Sequence, residues 1–189
     1  MLQPLAYRMR PRQLEDILGQ EHLVGPSKII HRMVQAKRLT SMILYGPPGI
    51  GKTSIASAIA GSTRYAFRTL NAATDGKKEL EQVVEEAKFS GTLILLLDEI
   101  HRLNTTKQDF LLPHLESGRI ILIGATTENP YIAINPAIRS RVQIFELKPL
   151  SPEQVCQGLT RALADQERGL GKYPVQVQDG VLEHFAQVS

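Results

Sequence analysis

The sequence predicts an α/β fold: a five-stranded parallel sheet with helices on both faces, followed by the start of a helical lid. Three observations predict it. A glycine-rich loop, Gly46 to Thr53, sits between a short apolar run and a helix-like apolar segment. Short apolar runs then alternate with segments of helical period, the pattern of strand–helix–strand units in a parallel sheet. One run, Thr92 to Leu97, is apolar almost throughout, as a strand covered on both faces requires.

Leu2 to Val24 reads as irregular, with turn signals at Pro4, Pro11 and Gly19. Pro26-Ser27 opens a helix carrying Ile29, Ile30, Met33 and Val34 on one side. Met42 to Tyr45 is the first strand, and Ser54 to Ala60 a helix that ends at Gly61. Ala66 to Leu70 is the second strand, and Asp75-Gly76 a turn. The next helix places Leu80, Val83, Val84 and Ala87 on one face and stops at Gly91.

After the third strand, Thr92 to Leu97, comes a helix led by Asn104, with a Thr105–Gln108 capping box. It runs toward Gly118. Pro113 is expected to kink it or confine its regular part. Arg119 to Ala125 and Val142 to Glu146 are the fourth and fifth strands, separated by a short helix near Pro136 to Arg139.

Leu147 to Leu150 reads as a linker, dividing an α/β core, residues 1–147, from a partial helical lid, residues 148–189. Ser151 and Gln154 form a capping box with Pro152 at the first helical position. Val155, Leu159, Ala162 and Leu163 are the apolar stripe of that helix. A last helix, led by Asp179, carries Val181, Leu182, Phe185 and Ala186. Two amphipathic faces in so short a segment bury too little surface alone. The expectation is a truncated piece, or one that needs a partner surface.

Composition narrows the class. Apolar residues are 42% and charged residues 22% of the 189, which suits a soluble globular domain with a real core. No apolar run approaches the roughly 18 residues of a membrane span, and Met1 to Pro11 lacks the apolar stretch of a signal peptide. The lone Cys156 excludes an internal disulfide and fits a reducing, cytoplasmic setting. No Cys/His cluster has metal-ligand spacing. A net charge of +3 admits a nucleic-acid partner without arguing for one. Arg8, Arg10 and Arg12 are the densest basic cluster, and no aromatics interleave there as base stacking would need.

Gly46-Pro47-Pro48-Gly49-Ile50-Gly51-Lys52-Thr53 fits G-x-x-x-x-G-K-[ST], the P-loop of nucleoside triphosphatases. Glycines let backbone N–H groups turn inward around a phosphate chain, and the following helix start, with Ser54, adds free donors and a positive dipole end. Lys52 reaches the β- and γ-phosphates, and the Thr53 hydroxyl binds Mg²⁺. The ligand is therefore Mg²⁺ with a nucleoside triphosphate.

Asp98 and Glu99 follow the third strand at its C-terminal end, where ligands of open α/β sheets sit. Asp98 holds Mg²⁺, directly or through water, and Glu99 orients and deprotonates the attacking water. Such a pair suits hydrolysis better than transfer to a small acceptor. Asn129 follows the fourth strand; its amide suits the γ-phosphate or the water, or else simply an Asn129-Pro130 turn. Arg141, with Arg139 as competitor, suits a finger on a neighbouring subunit's nucleotide, or an exposed arginine at a helix C-terminus. His101 and Arg102 suit a relay of nucleotide state, or local pairing.

Together these segments resemble the AAA+ ATPases of the clamp-loader-like branch. Gly46 to Thr53 matches their Walker A motif and Leu93 to Glu99 their Walker B motif; Asn129 falls at sensor 1 and Ser140-Arg141 at the arginine finger. Pro4 to Pro11, Gly19 to Leu23, Asp98-Glu99-Ile100-His101-Arg102 and Gly124 to Pro130 resemble the replication-associated recombination protein A family, related to the Werner-helicase-interacting ATPases. That resemblance, running from about Leu2 to Ser189, implies an oligomeric, DNA-stimulated ATPase acting at stalled or damaged replication forks. Its implied partners are DNA at forks or single-strand/double-strand junctions, single-stranded-DNA-binding protein, and further copies of itself. It implies an adenine site near Leu23, Val24 and Gly25, with Ile17 and Leu18 packing there, and a sensor 2 arginine beyond Ser189. Two other readings stay open: a nucleotide-gated interaction module with little hydrolysis, and a small-molecule kinase, for which no acceptor site is found.

Overall fold

The structure is a computed structural model that describes residues 3–189, so Leu2, where the irregular stretch was expected to begin, lies outside the described residues. Five strands, β1 Met42–Tyr45, β2 Ala66–Asn71, β3 Leu93–Asp98, β4 Ile120–Thr126 and β5 Gln143–Glu146, form one sheet in the order β2-β3-β4-β1-β5. Every pairing is parallel. The predicted sheet is correct, and its order positions the site. β4 lies between β1 and β3, so the segments leaving the C-terminal ends of β1 and β3 face each other across the end of β4.

The pleat sorts the core. Met42, Leu44, Ile94, Leu96, Ile121 and Ile123 point to one face, against Ile30 of α3 (Ile29–Gln35) and Ile55, Ala56 and Ile59 of α4 (Lys52–Gly61). Ile43, Leu93, Leu95, Leu97, Ile120 and Leu122 point to the other, against α5 (Lys77–Ser90) and α6 (Thr105–Glu116). Alternate residues of β3 and β4 feed two cores. That explains why their sequences show no polar alternation.

Several boundaries differ from the sequence reading. The N-terminal stretch is not irregular: it holds the one-turn helices α1 Leu5–Arg8 and α2 Glu21–Val24 and a 3₁₀ turn, Leu14–Asp16. One turn is too short to display a helical period. α3 starts at Ile29, because Ser27 is left-handed at φ +64. α4 starts at Lys52, before its apolar pattern does. α6 runs through Pro113, which lies in its last turns, where only the exposed Asp109 carbonyl loses a partner. The Thr105–Gln108 box does not form. Asn104 Oδ1 accepts from the Lys107 N–H at 2.9 Å, and Gln108 Nε2 turns to the Leu103 carbonyl.

Two short helices, α7 Pro130–Ala133 and α8 Pro136–Arg139, precede β5; only the second was expected. α9 Pro152–Ala164 has the predicted capping box, with Gln154 N–H on Ser151 Oγ at 3.2 Å and Ser151 N–H on Gln154 Oε1 at 2.9 Å. α10 Val181–Val188 is led by left-handed Gly180 rather than by Asp179. The N-terminal segment ties α9 to the sheet. Buried Gln20 exchanges two hydrogen bonds with the Lys148 backbone, at 2.6 and 2.9 Å, and Arg161 donates to the Asp16 carbonyl at 3.3 Å.

Candidate active site

The loop after β1 is anchored by the Gly46 N–H, which donates to the Thr126 carbonyl of β4 at 3.2 Å. Gly49 and Gly51 sit at φ +77 and +91 with open space where a Cβ would lie. Backbone conformation, not crowding, therefore requires glycine at both. The loop leaves the first amides of α4 without helical partners, a set of donors aimed at an anion.

Lys52 is buried and curls back over the loop, its Nζ donating to the carbonyls of Gly46 at 2.8 Å and Pro47 at 2.7 Å. Desolvation lowers its pKa below the ordinary lysine value, and the Asp98 carboxylate opposes that shift. The ammonium is thus held by two neutral carbonyls of the loop, with no carboxylate in direct contact among the described residues.

Asp98 ends β3, and its Oδ1 accepts the Glu99 N–H at 2.9 Å. Glu99 is exposed and left-handed at φ +50, a conformation costing roughly 1–2 kcal/mol for a residue with a Cβ. The turn is fixed by the Arg102 N–H, which donates to the Glu99 carbonyl at 2.8 Å. His101 turns back under β4: its Nδ1 lies 2.9 Å from Thr126 Oγ1, and its Nε2 3.8 Å from Glu128 Oε1.

These groups surround one cleft of about 340 Å³, bounded by the loop from Pro48 to Thr53, by Asp98, Glu99 and His101, and by Ala125, Thr126 and Thr127. Lys52, Thr53, Asp98 and Glu99, predicted from two separate motifs, are thereby brought together. Larger hollows elsewhere also carry charges, one with Asp16, Arg161, Asp165 and Arg168 and another with Arg8, Arg10, Arg12, Glu167 and Arg168, but neither is bordered by the glycine-rich loop. Among the described residues no group of three or more His, Cys, Asp or Glu forms a metal cage. One hydroxyl and one carboxylate still fit Mg²⁺, which keeps waters and is held largely by its substrate's phosphates.

Other predicted residues lie elsewhere. Pro47 is exposed, Ile50 packs on the core, and Gly46 lies against Leu147; with Ser54, they shape the loop and helix rather than line the cleft. Leu23 and Val24 are core residues with Ile17 packed beside them. Leu18 borders a separate hollow with Arg161, and Gly25 lies close to the Glu21 carbonyl. None of these five borders the phosphate cleft.

Asn129 is exposed, and its Oδ1 accepts the Tyr131 N–H at 3.0 Å to cap α7. The structure therefore does not bring Asn129 into the cleft; Thr126 and Thr127 occupy its β4 side instead. Neither threonine was among the residues expected at the site. Their place at the C-terminal end of a buried run was the same signal that identified Asp98. Arg141 is outside the cleft too, its Nη1 donating to the Ala137 carbonyl at 2.9 Å and Ser140 Oγ at 3.0 Å, and its Nη2 paired with Glu116. Arg139 donates to the Tyr131 carbonyl.

Residues 42–150 match the profile of the ATPase family associated with various cellular activities (AAA). The chain is 69% identical over 98% of its length to replication-associated recombination protein A of Bacillus subtilis, covering 44% of that protein. It is 42% identical over 98% of its length to the Escherichia coli protein of the same name, covering 42% of it. It thus spans less than half the length of these relatives. In fold it is similar to the Thermotoga maritima RuvB Holliday junction branch migration motor, with a TM-score of 0.76 and 24% identity over 95% of this chain and 59% of that one. Among the described residues no helix is long and apolar enough to cross a membrane.

Proposed function

The chain belongs to the ATPase family associated with various cellular activities, and from that premise we propose that it binds Mg·ATP in the cleft and hydrolyses it, as the motor domain of a DNA-dependent ATPase of replication and recombination. One observation carries the reading: the Gly46–Thr53 loop and the Asp98-Glu99 pair meet in a single cleft. In it Lys52 and the loop amides hold the β- and γ-phosphates. Thr53 and Asp98 hold Mg²⁺, which neutralises phosphate charge and polarises the γ-phosphoryl group when bound. Glu99 takes the proton of the attacking water. Residues 1–147 are the core in this reading and 148–189 the start of the lid. The 69% identity to a replication-associated recombination protein supports DNA forks or junctions as the effector, with single-stranded-DNA-binding protein and further copies as partners in the whole, cytoplasmic protein.

Titration with a fluorescent ATP analogue tests the first step. Lys52→Ala is expected to weaken binding at least about tenfold, since a charge-assisted bond is worth about 1.5–3 kcal/mol. Equal binding by parent and variant would sink the assignment.

The position of Thr127 in the cleft supports it, rather than Asn129, as the group that touches the γ-phosphate or the water. Thr127→Val is expected to slow hydrolysis by about 10²-fold at unchanged ATP affinity, as loss of a transition-state donor does. Asn129→Ala should cost only about 1 kcal/mol of stability, as loss of a helix cap. Steady-state hydrolysis and thermal melts of both variants separate the roles, and the reverse pattern would return the role to Asn129.

Arg141 stands outside the cleft of its own chain, which favours a second reading for the isolated domain. Alone, it binds ATP with little turnover, as a nucleotide-gated module.

A further inference from the structure

Charge is unevenly distributed along this chain. Between Glu21 and Asp75 there is no acidic residue, while Lys28, Arg32, Lys37, Arg38, Lys52, Arg64 and Arg68 fall inside that stretch. Lys52 belongs to the cleft, and Arg68 is paired with Glu86 at 2.7 Å. The rest lie at the N-cap of α3, on α3, in the turn after it and in the turn after α4, and among the described residues none of them has a carboxylate partner.

A cavity of about 270 Å³ opens in the middle of this basic surface. Its apolar wall is Met33, Val34, Leu39 and Tyr65, and Lys37 and Arg64 stand at its edge. Lys37 is held in a left-handed turn at φ +54, with its N–H on the Val34 carbonyl at 3.1 Å. The two hydroxyls in the wall are already engaged: Thr63 Oγ1 donates to the Ala60 carbonyl, and Ser62 Oγ donates to the Ala58 carbonyl and accepts the Leu14 N–H. The wall therefore offers shape and apolar contact, and the edge offers positive charge.

We propose that this cavity is a docking site for an acidic peptide segment that carries one aromatic or large aliphatic side chain. The apolar side chain fills the cavity, while flanking carboxylates meet Lys37 and Arg64. The site is independent of the nucleotide cleft. Charge complementarity selects an acidic partner. The apolar wall selects a peptide over a phosphate backbone, because Tyr65 is half-buried in the wall rather than presented as a base-stacking platform.

Fluorescence anisotropy with a labelled Asp-Asp-Asp-Gly-Phe peptide tests the proposal on the whole 189-residue chain. Binding should weaken at least about tenfold in the K37A/R64A double variant, and equally when the peptide's Phe is changed to Ser. A K37R/R64K variant should restore it, and unchanged melts and ATP binding would exclude misfolding. Peptide binding indifferent to both changes would overturn the site. So would stronger binding of a single-stranded oligonucleotide that depends on Lys37 and Arg64 and displaces the peptide, which would make the surface a nucleic-acid contact.

Discussion

Glu99→Gln is expected to lower ATP hydrolysis by about 10²–10⁴-fold while leaving Mg·ATP binding near that of the parent. The amide keeps the size and reach of the carboxylate but cannot accept the water's proton. Lys52, Thr53 and Asp98, which we propose carry the binding, are untouched. The measurement is steady-state phosphate release from the full-length protein, beside titration with an ATP analogue. Unchanged hydrolysis would remove Glu99 from its role.

The backbone supplies a second readout. Glu99 occupies the left-handed region at φ +50, where glycine carries no Cβ penalty. Glu99→Gly should therefore leave the fold as stable or raise its stability by about 0.4–1 kcal/mol, yet abolish turnover. Strain tolerated at a side chain that nothing else in the fold requires points to use in chemistry.

Much of this site was legible in the sequence because its two halves are local motifs with strong physical grammar. A strand, a glycine loop and a helix start specify the P-loop wherever they occur in that order. A buried run ending in Asp98-Glu99 needs only the parallel sheet to bring it across. The strings that resembled the replication-associated recombination protein A family are borne out by the 69% identity to a member.

What was not legible depended on side-chain commitments. Asn129 and Thr127 lie two residues apart, yet Thr127 borders the cleft while Asn129 caps α7 through the Tyr131 N–H. Pro113 was expected to disturb α6, and its late position in the helix made it harmless. The short helices near Leu5, Glu21 and Pro130 carry no period to detect. Leu23 and Val24 were placed near the adenine only by resemblance; both are core residues, whose burial is equally what packing alone would require.

Arg141 carries the other large effect. Its guanidinium rests on the Ala137 carbonyl and Glu116, outside its own chain's cleft, and the action we propose for it is on a neighbour's nucleotide. The pair with Glu116 does not lock it there, because exposed ion pairs contribute only about 0–1 kcal/mol. An arginine finger lowers the barrier far more, with about 10³–10⁵ in rate at stake, or about 4–7 kcal/mol. The trade favours release whenever a neighbouring triphosphate is within reach. Arg141→Ala in the full-length protein should thus lose that factor in hydrolysis while still binding ATP. Mixing it with Lys52→Ala subunits, themselves inactive, should restore turnover, because each Lys52→Ala subunit offers an intact Arg141 to a neighbour with an intact loop. Mixtures that co-assemble, as judged by light scattering, and still fail to hydrolyse would show that Arg141 does not act between subunits.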